Sequence, residues 1–503
     1  MSPSTSTPRF NTPIGLALAW LLILTPLLPL AEPLRVGSKQ FTESVLLGEI
    51  ARLTLIEAGL EAEHRRELGG SRILFNALIA GELDVYPEYT GTLALELLAE
   101  DTGGRVMDHA TLNQLLEQRG LGMSAPLGFD NSYAMGMRRA HAARLGIERI
   151  SDLEAHPDLS MGFSNEFMDR ADGWPALRRA YSLPHQDVRG LDHDLAYRAI
   201  ESKAIDVIDV YTTDAEIAYY DLTVLEDDRN HFPNYEAVWL YRLDLPTSAR
   251  ASLNRLTGTL DAETMRRLNG EVKLEGRGDT EVAAEWLGVE QTDPVATVPQ
   301  TLMRTTIEHL AIVLVSLGGA ILVAIPLGIL AARMRSLGQV VLGLTGILQT
   351  VPSLAMFVFM IPLFGIGWAA AVAALFVYSL LPIVRNTHSG LTGIDPALRE
   401  SALVLGLSGR DRLLRIELPL AAGSILAGIK TAAVINVGTT TLAALIGAGG
   451  YGQPILTGIR LDDMGLIMQG AIPAAVLALL IQWGFDGLER VFTPRGLRDQ
   501  MPN

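Results

Sequence analysis

The sequence predicts a chain in two parts, a water-soluble α/β half followed by an all-α membrane half. Three observations predict it. Residues 33–290 are polar and acidic, and short apolar runs alternate there with helical patterns, the mark of α/β layers. After Pro299 the chain turns apolar, with runs such as HLAIVLVSLGGAILVAIPLGIL and WAAAVAALFVYSLLPIV. Runs of about 20 apolar residues are long enough to cross a bilayer as helices.

The chain has 503 residues, a formal charge of −16 and no cysteine. An acidic chain is a poor partner for nucleic acid, so none is expected. Disulfides, thiol catalysis and Cys-ligated metals are excluded. Residues 1–31 carry Arg9 before an apolar stretch from Ile14 to Leu30, which suits a cleaved signal peptide or a retained membrane anchor. Under either reading the soluble half is exported.

In the soluble half, LRVGS (34–38) reads as a strand. Thr42 is placed to cap the next helix, whose Val45, Leu46, Ile50 and Leu53 recur at helical spacing. LSMGFS (159–164) and AIDVIDVY (204–211) read as strands, and Ser71–Ala80 and Leu191–Ser202 as helices. DVYPEYTGT, PLGFDNSYAMGM, FSNEFMDRADG, IDVIDVYTTD and FPNY end apolar or strand-like runs, where α/β folds place ligand contacts. They hold Tyr89, Thr92, Asn131, Tyr133, Glu166, Arg170, Tyr211 and Tyr235. From the residues alone, the tyrosines are either scattered aromatics or ring faces gathered around a quaternary ammonium group. An Arg and a Lys nearby would hold a carboxylate.

The membrane half reads as five spans, near 308–330, 341–362, 367–386, 427–448 and 465–485. Arginines cluster at 333/335, 385, 399–415 and 490–498; all fall inside if the soluble half is outside and the loop 387–426 inside. Lys430 is either an intramembrane charge or, the reading we favour, an interfacial lysine before a span starting near Thr431. No phosphate-binding G-x-x-x-x-G-K-[ST] loop occurs, and no metal or hydrolytic motif. The inner loop predicts two short amphipathic helices, Pro396–Leu405 and Arg410–Ile416, separated by Gly406 and Gly409. By spacing alone they suit an interfacial loop or a pair that docks on a cytoplasmic partner.

That loop resembles the coupling loop of bacterial ABC-importer permeases. Glu400-Ser401-Ala402, Gly406 and Ile416-Glu417-Leu418-Pro419 match its Glu-Ala-Ala, Gly, Ile-x-Leu-Pro spacing, with Ser401 in place of the first Ala. The soluble half resembles the binding proteins of osmoprotectant importers for glycine betaine, carnitine, choline and proline betaine, from GSKQFTES through FPNY. The resemblance implies a two-lobed periplasmic-binding-protein fold fused to an ABC-importer permease. It makes Tyr89, Tyr133, Tyr211 and Tyr235 an aromatic box for a trimethylammonium head. It gives the ligand carboxylate to Lys39, Thr92 and Arg170, and puts Asn131 and Glu166 in the pocket lining.

The expected layout is an exported segment 1–31, a binding domain 33–287, a linker 288–300, a permease domain 301–490 and a cytoplasmic tail 491–503. The expected partners are a separate ATPase subunit, a small quaternary ammonium ligand, membrane lipid and a second permease copy; no cofactor is expected. The ligand expected first is glycine betaine, with ergothioneine, choline or carnitine as alternatives. A membrane-anchored sensor would need a cytoplasmic output domain, and after about residue 488 only a short tail remains. An enzyme would need a nucleophile–base pair or metal cluster, and none is evident.

Overall fold

A computed structural model describes residues 32–170, 172–290 and 297–492. The exported segment, linker residues 291–296 and most of the tail lie outside the described residues, and so do the expectations for them.

The soluble half is two α/β lobes. The first sheet runs β2–β1–β3–β10–β4, with strands β1 Leu34–Gly37, β2 Ala62–Arg65, β3 Val85–Tyr89, β4 Leu121–Met123 and β10 Ala237–Arg242. The second runs β7–β6–β8–β5–β9, with β5 Tyr133–Arg138, β6 Met161–Ser164, β7 Val188–Leu191, β8 Val207–Tyr211 and β9 Leu222–Leu225. The chain crosses between lobes twice, through 124–132 and back through 226–236. A bridge between Asp130 and Glu236 joins the two crossings. Asp130 accepts from the Tyr235 backbone N–H at 2.5 Å and from Ser132 Oγ at 2.5 Å. Paired crossings of this kind form a hinge.

The first lobe packs α1 (Thr42–Glu57) and α2 (Ser71–Ile79) on its sheet; the second carries α3 (His193–Glu201). Two further helices, α4 (Ala262–Lys273) and α5 (Asp279–Leu287), return to cover α1. One expected detail is corrected. Thr42 does not cap α1: Phe41 occupies the cap position, and the Thr42 hydroxyl is buried without a hydrogen-bond partner.

The membrane half is helical: α6 Val298–Arg333, α7 Arg335–Thr350, α8 Ser353–Phe364, α9 Trp368–Thr392, α10 Pro396–Val404, α11 Leu418–Thr440, α12 Gly452–Arg460 and α13 Met464–Phe492. Four helices are long and apolar enough to cross a membrane, counting α11 with its flanking turns, among the described residues. The span expected at 341–362 is instead α7 and α8, bent by 102°. Pro352 causes the break, because the residue before a proline is driven to extended backbone, and Val351 sits at ψ 128°.

Contacts with the lobes decide how that bent pair runs. Residues near 304–308, 364–368 and 447–453 share a cavity wall with Glu63–Arg66, Leu68 and Glu82 of the first lobe. Ile366 is buried in that lobe's core. These three membrane-half segments therefore lie on one side, and the α7–α8 pair, leaving from Arg333 and ending at Phe364, crosses once as a broken span. Gly447 shows how close the approach is. Its φ of +75° disfavours a side chain, and a Cβ there would stand 2.5 Å from Leu68 Cδ2.

Three ion pairs fasten the halves. Arg460, at the end of α12, is buried between Glu67 (2.6 Å) and Asp279 (2.9 Å) of the first lobe. Two residues on, Asp462 pairs with Arg198 of α3 in the second lobe. Leu461 between them packs on the core that spans both lobes.

Other boundaries also shift. The helix of the first span begins at Val298, within the expected linker. The helix of the third runs to Thr392, inside the expected loop. Lys430 lies within α11, and its ammonium pairs with Asp486 (2.8 Å) and Glu489 (3.6 Å) near the end of α13. Paired carboxylates let that charge sit on a helix flank.

Candidate functional site

The nine residues singled out in the soluble half come together. Lys39, Tyr89 and Thr92 approach from the first lobe, Tyr133, Glu166, Arg170 and Tyr211 from the second, and Asn131 and Tyr235 from the hinge. All line one narrow cavity between the lobes, joined by Phe41 and Ser71.

Strand register builds the aromatic part. Tyr133 and Tyr211 are directly opposed on the antiparallel pair β5–β8, so their rings meet at 5.1 Å between centroids. Tyr235 closes edge-on against Tyr133 at 5.7 Å, and Phe41 faces Tyr211 at 5.3 Å across the lobes. Burial pushes the hydroxyls of Tyr89, Tyr133, Tyr211 and Tyr235 above the ordinary phenol value, so all four rings stay neutral.

The polar side is set by ion pairs. Lys39 follows β1, and its backbone N–H donates to Ser44 Oγ. Its ammonium donates to Glu88 (2.6 Å) and Ser71 Oγ (3.0 Å) and stands 4.8 Å from the Tyr89 ring centroid. An ammonium has three N–H donors, so one is spare. Arg170 makes a two-point bond with Asp172 (2.7 and 2.6 Å) and reaches Thr92 Oγ1 across the cleft at 3.5 Å. Burial alone would push the Asp172 carboxyl up; the Arg170 guanidinium overrides it and holds it below the ordinary value. Asp172 also accepts from the Tyr235 hydroxyl at 2.6 Å, so Arg170 indirectly orients one ring of the box. Glu166 lies 3.7 Å from Arg170 and accepts from the Ser71 N–H at 3.5 Å, a second tie between lobes.

Four neighbours escaped the sequence reading. Phe41 and Glu43 sit in the same GSKQFTES run as Lys39, so an aromatic and an acid beside a singled-out lysine were the available signal. His193 and Asp172 gave none, because their roles depend on long-range packing. His193 lies 4.4 Å from the Tyr211 ring; burial would lower its pKa, but Asp214 and Asp209 raise it to about 10.

On the opposite side of the membrane half lie the seven residues singled out in the inner loop. Glu400, Ser401, Gly406 and Pro419 are exposed, Ile416 and Leu418 half-buried, and Ala402 buried. The second short helix is reduced to Gly409–Arg412, followed by a wider turn Leu413–Glu417. Leu403, Val404 and Leu405 stay exposed at the end of α10.

Residues 32–288 match the family described as the substrate binding domain of the ABC-type glycine betaine transport system. Residues 324–497 match binding-protein-dependent transport system inner membrane components. An osmoprotectant import permease protein of Salmonella typhimurium is 44% identical over 202 residues, 39% of this chain and 94% of that protein. A fused ergothioneine transport permease and binding protein of Helicobacter pylori is 33% identical over 262 residues, 51% of this chain and 47% of that protein. A crystal structure of a glycine betaine/carnitine/choline ABC transporter covers 51% of this chain and 97% of its own, at 28% identity and a TM-score of 0.43.

Proposed function

We propose, from the premise that this chain belongs to the family of substrate-binding domains of ABC-type glycine betaine transport systems, that it captures a quaternary ammonium osmoprotectant, glycine betaine first, and passes it through its own membrane half. It is a transport component of the inner membrane and not an enzyme. The binding half belongs on the periplasmic side.

The observation that carries the ligand class is the cavity at the hinge. Neutral ring faces attract a cation that cannot donate strong hydrogen bonds. The spare Lys39 donor, Thr92 Oγ1 and the Arg170 guanidinium stand ready for a carboxylate at the other end. The lobes close over the ligand by rotation about 124–132 and 226–236, and the closed domain delivers it to the membrane half. Glu400–Pro419 receives a separate ATPase subunit, whose closure on ATP reverses the access of the pore. The assembly is two copies of this chain with two ATPase subunits.

Choline is the second reading, favoured because both cations of the cleft already hold carboxylates, Lys39 with Glu88 and Arg170 with Asp172. Titration calorimetry of the purified full chain with glycine betaine, choline, carnitine and ergothioneine tests both. Tightest binding of glycine betaine supports the first reading and of choline the second; no heat with any of the four overturns the ligand class.

A further inference from the structure

Behind the aromatic box lies a carboxylate that ligand capture, as described, leaves unused. Glu43, in the first turn of α1, is buried and accepts four hydrogen bonds. One oxygen takes the Tyr89 hydroxyl (2.5 Å) and the Asn131 amide (2.8 Å). The other takes the Thr213 hydroxyl (2.5 Å) and the Asn269 amide (3.2 Å). These donors come from the first lobe, the hinge, the second lobe and α4. Two of the four are amide N–H groups, which cannot accept, and together they fill the acceptor sites of an ionised carboxylate. Burial raises its pKa above the ordinary carboxylate value, and the bonds from Thr213, Tyr89 and Asn269 offset that only in part.

Four other acids around the cleft are matched. Glu88 has Lys39, Asp172 has Arg170, and Asp214 and Asp209 share His193. Among the described residues no Lys, Arg or His pairs with Glu43. A buried, unmatched anion is costly unless something in or near the site supplies positive charge.

We propose that Glu43 is a positioning residue that gives the site its preference for positive charge, acting through the Tyr89 hydroxyl. A phenol that donates to a carboxylate gains electron density in its ring, and hydrogen bonds in a low-dielectric site polarise one another. The Tyr89 ring thereby presents a more negative face to the trimethylammonium head, and the field of Glu43 is little screened over that short path. Because Glu43 also gathers both lobes and the hinge, this charge is complete only when the lobes are together. The inference rests on the ligand class proposed above.

The test compares choline with its uncharged carbon isostere, 3,3-dimethylbutan-1-ol, by competition binding on the full chain in lipid nanodiscs. Glu43→Gln keeps size and one acceptor but removes the charge. It is expected to weaken choline roughly ten-fold while leaving the isostere within about two-fold, the scale of one desolvated cation–π contact. Tyr89→Phe, which leaves Glu43 in place but cuts the bond, is expected to reduce the choline-to-isostere ratio in the same direction and decides the matter if Glu43→Gln does not fold. Equal losses for both ligands, or an unchanged ratio, overturn the role of Glu43 and leave the ligand class standing. Wild-type chain that binds no quaternary ammonium compound overturns the ligand class itself.

Discussion

Arg170 does two jobs at the residue scale, and a substitution separates them. It offers a guanidinium to the cavity, and through Asp172 it holds the Tyr235 hydroxyl. Arg170→Ala should therefore weaken every quaternary ammonium ligand, with the larger loss for glycine betaine, which has a carboxylate. Removing one partner of a buried pair costs roughly 3–5 kcal/mol, so calorimetry should be paired with a melting curve. An equal loss for betaine and choline would make Arg170 an orienting residue only. His193 makes a second prediction. Its folded pKa, about 10, lies above its ordinary value of about 6.5, so its ion pairs stabilise fully below pH 6.5 and fade as pH rises through 10. Asp214 and Asp209 face its ring from β8 and the turn after it, Asp194 lies beside it on α3, and Tyr197 and Tyr211 are the titratable rings in contact. The melting temperature should fall by several degrees between pH 7 and 10, and His193→Gln should flatten that limb. The box tyrosines were legible through the family resemblance of the segments that carry them, since strand pattern alone does not single them out: Tyr89 and Tyr211 end β3 and β8, but Tyr133 opens β5 and Tyr235 precedes β10. Their partners were not, because Glu88, Asp172 and Asp214 meet the site through register and lobe closure, which a linear pattern does not record.

At the scale of elements, α10 shows why one glycine stands in the coupling pattern. Gly406 has φ +71°, and its N–H bonds the Leu403 carbonyl while that of Leu407 bonds the Ala402 carbonyl. This is a Schellman ending, in which a left-handed residue stops the helix and satisfies its last carbonyls. A side chain there costs about 1–2 kcal/mol. Gly406→Ala should fray the end of α10 and lower the ligand-stimulated ATPase rate of the assembled importer. Ligand affinity should stay unchanged; an unaltered ATPase rate would separate this ending from coupling. The first short helix and its Gly406 stop could be read from spacing, since local turn chemistry decides them, whereas the second was read too long because Leu413–Glu417 widens into a looser turn. The broken span at Pro352 was hidden by hydropathy, which sees apolar length and not direction. The partners of Lys430 were hidden for a related reason: its two carboxylates lie 56 and 59 positions away in the chain, so a window around residue 430 contains only the cost of the charge.

For the whole molecule, the decisive contact is the outer turn 460–462. Arg460 holds the first lobe, Asp462 the second, and Leu461 packs between them. Arg460→Ala leaves Glu67 buried without its cation and Asp279 with only the more distant Arg66 (3.7 Å), a change worth roughly 3–5 kcal/mol against the docked arrangement. Spin-label distances between the lobes and α12 should lengthen and broaden, and transport should fall; unchanged distances would show that apolar contacts such as Ile366 suffice.

A grip on both lobes works in two directions. If closed lobes seat better on 460–462, then seating must favour closed lobes by the same free energy, because coupling between two equilibria is reciprocal. Arg460 lines no part of the cavity, yet its loss should weaken ligand binding by the factor with which ligand tightens docking. The membrane half then sets the affinity of the domain that feeds it, and any movement of its outer face that spreads residues 460 and 462 relative to the lobes becomes a signal to let go.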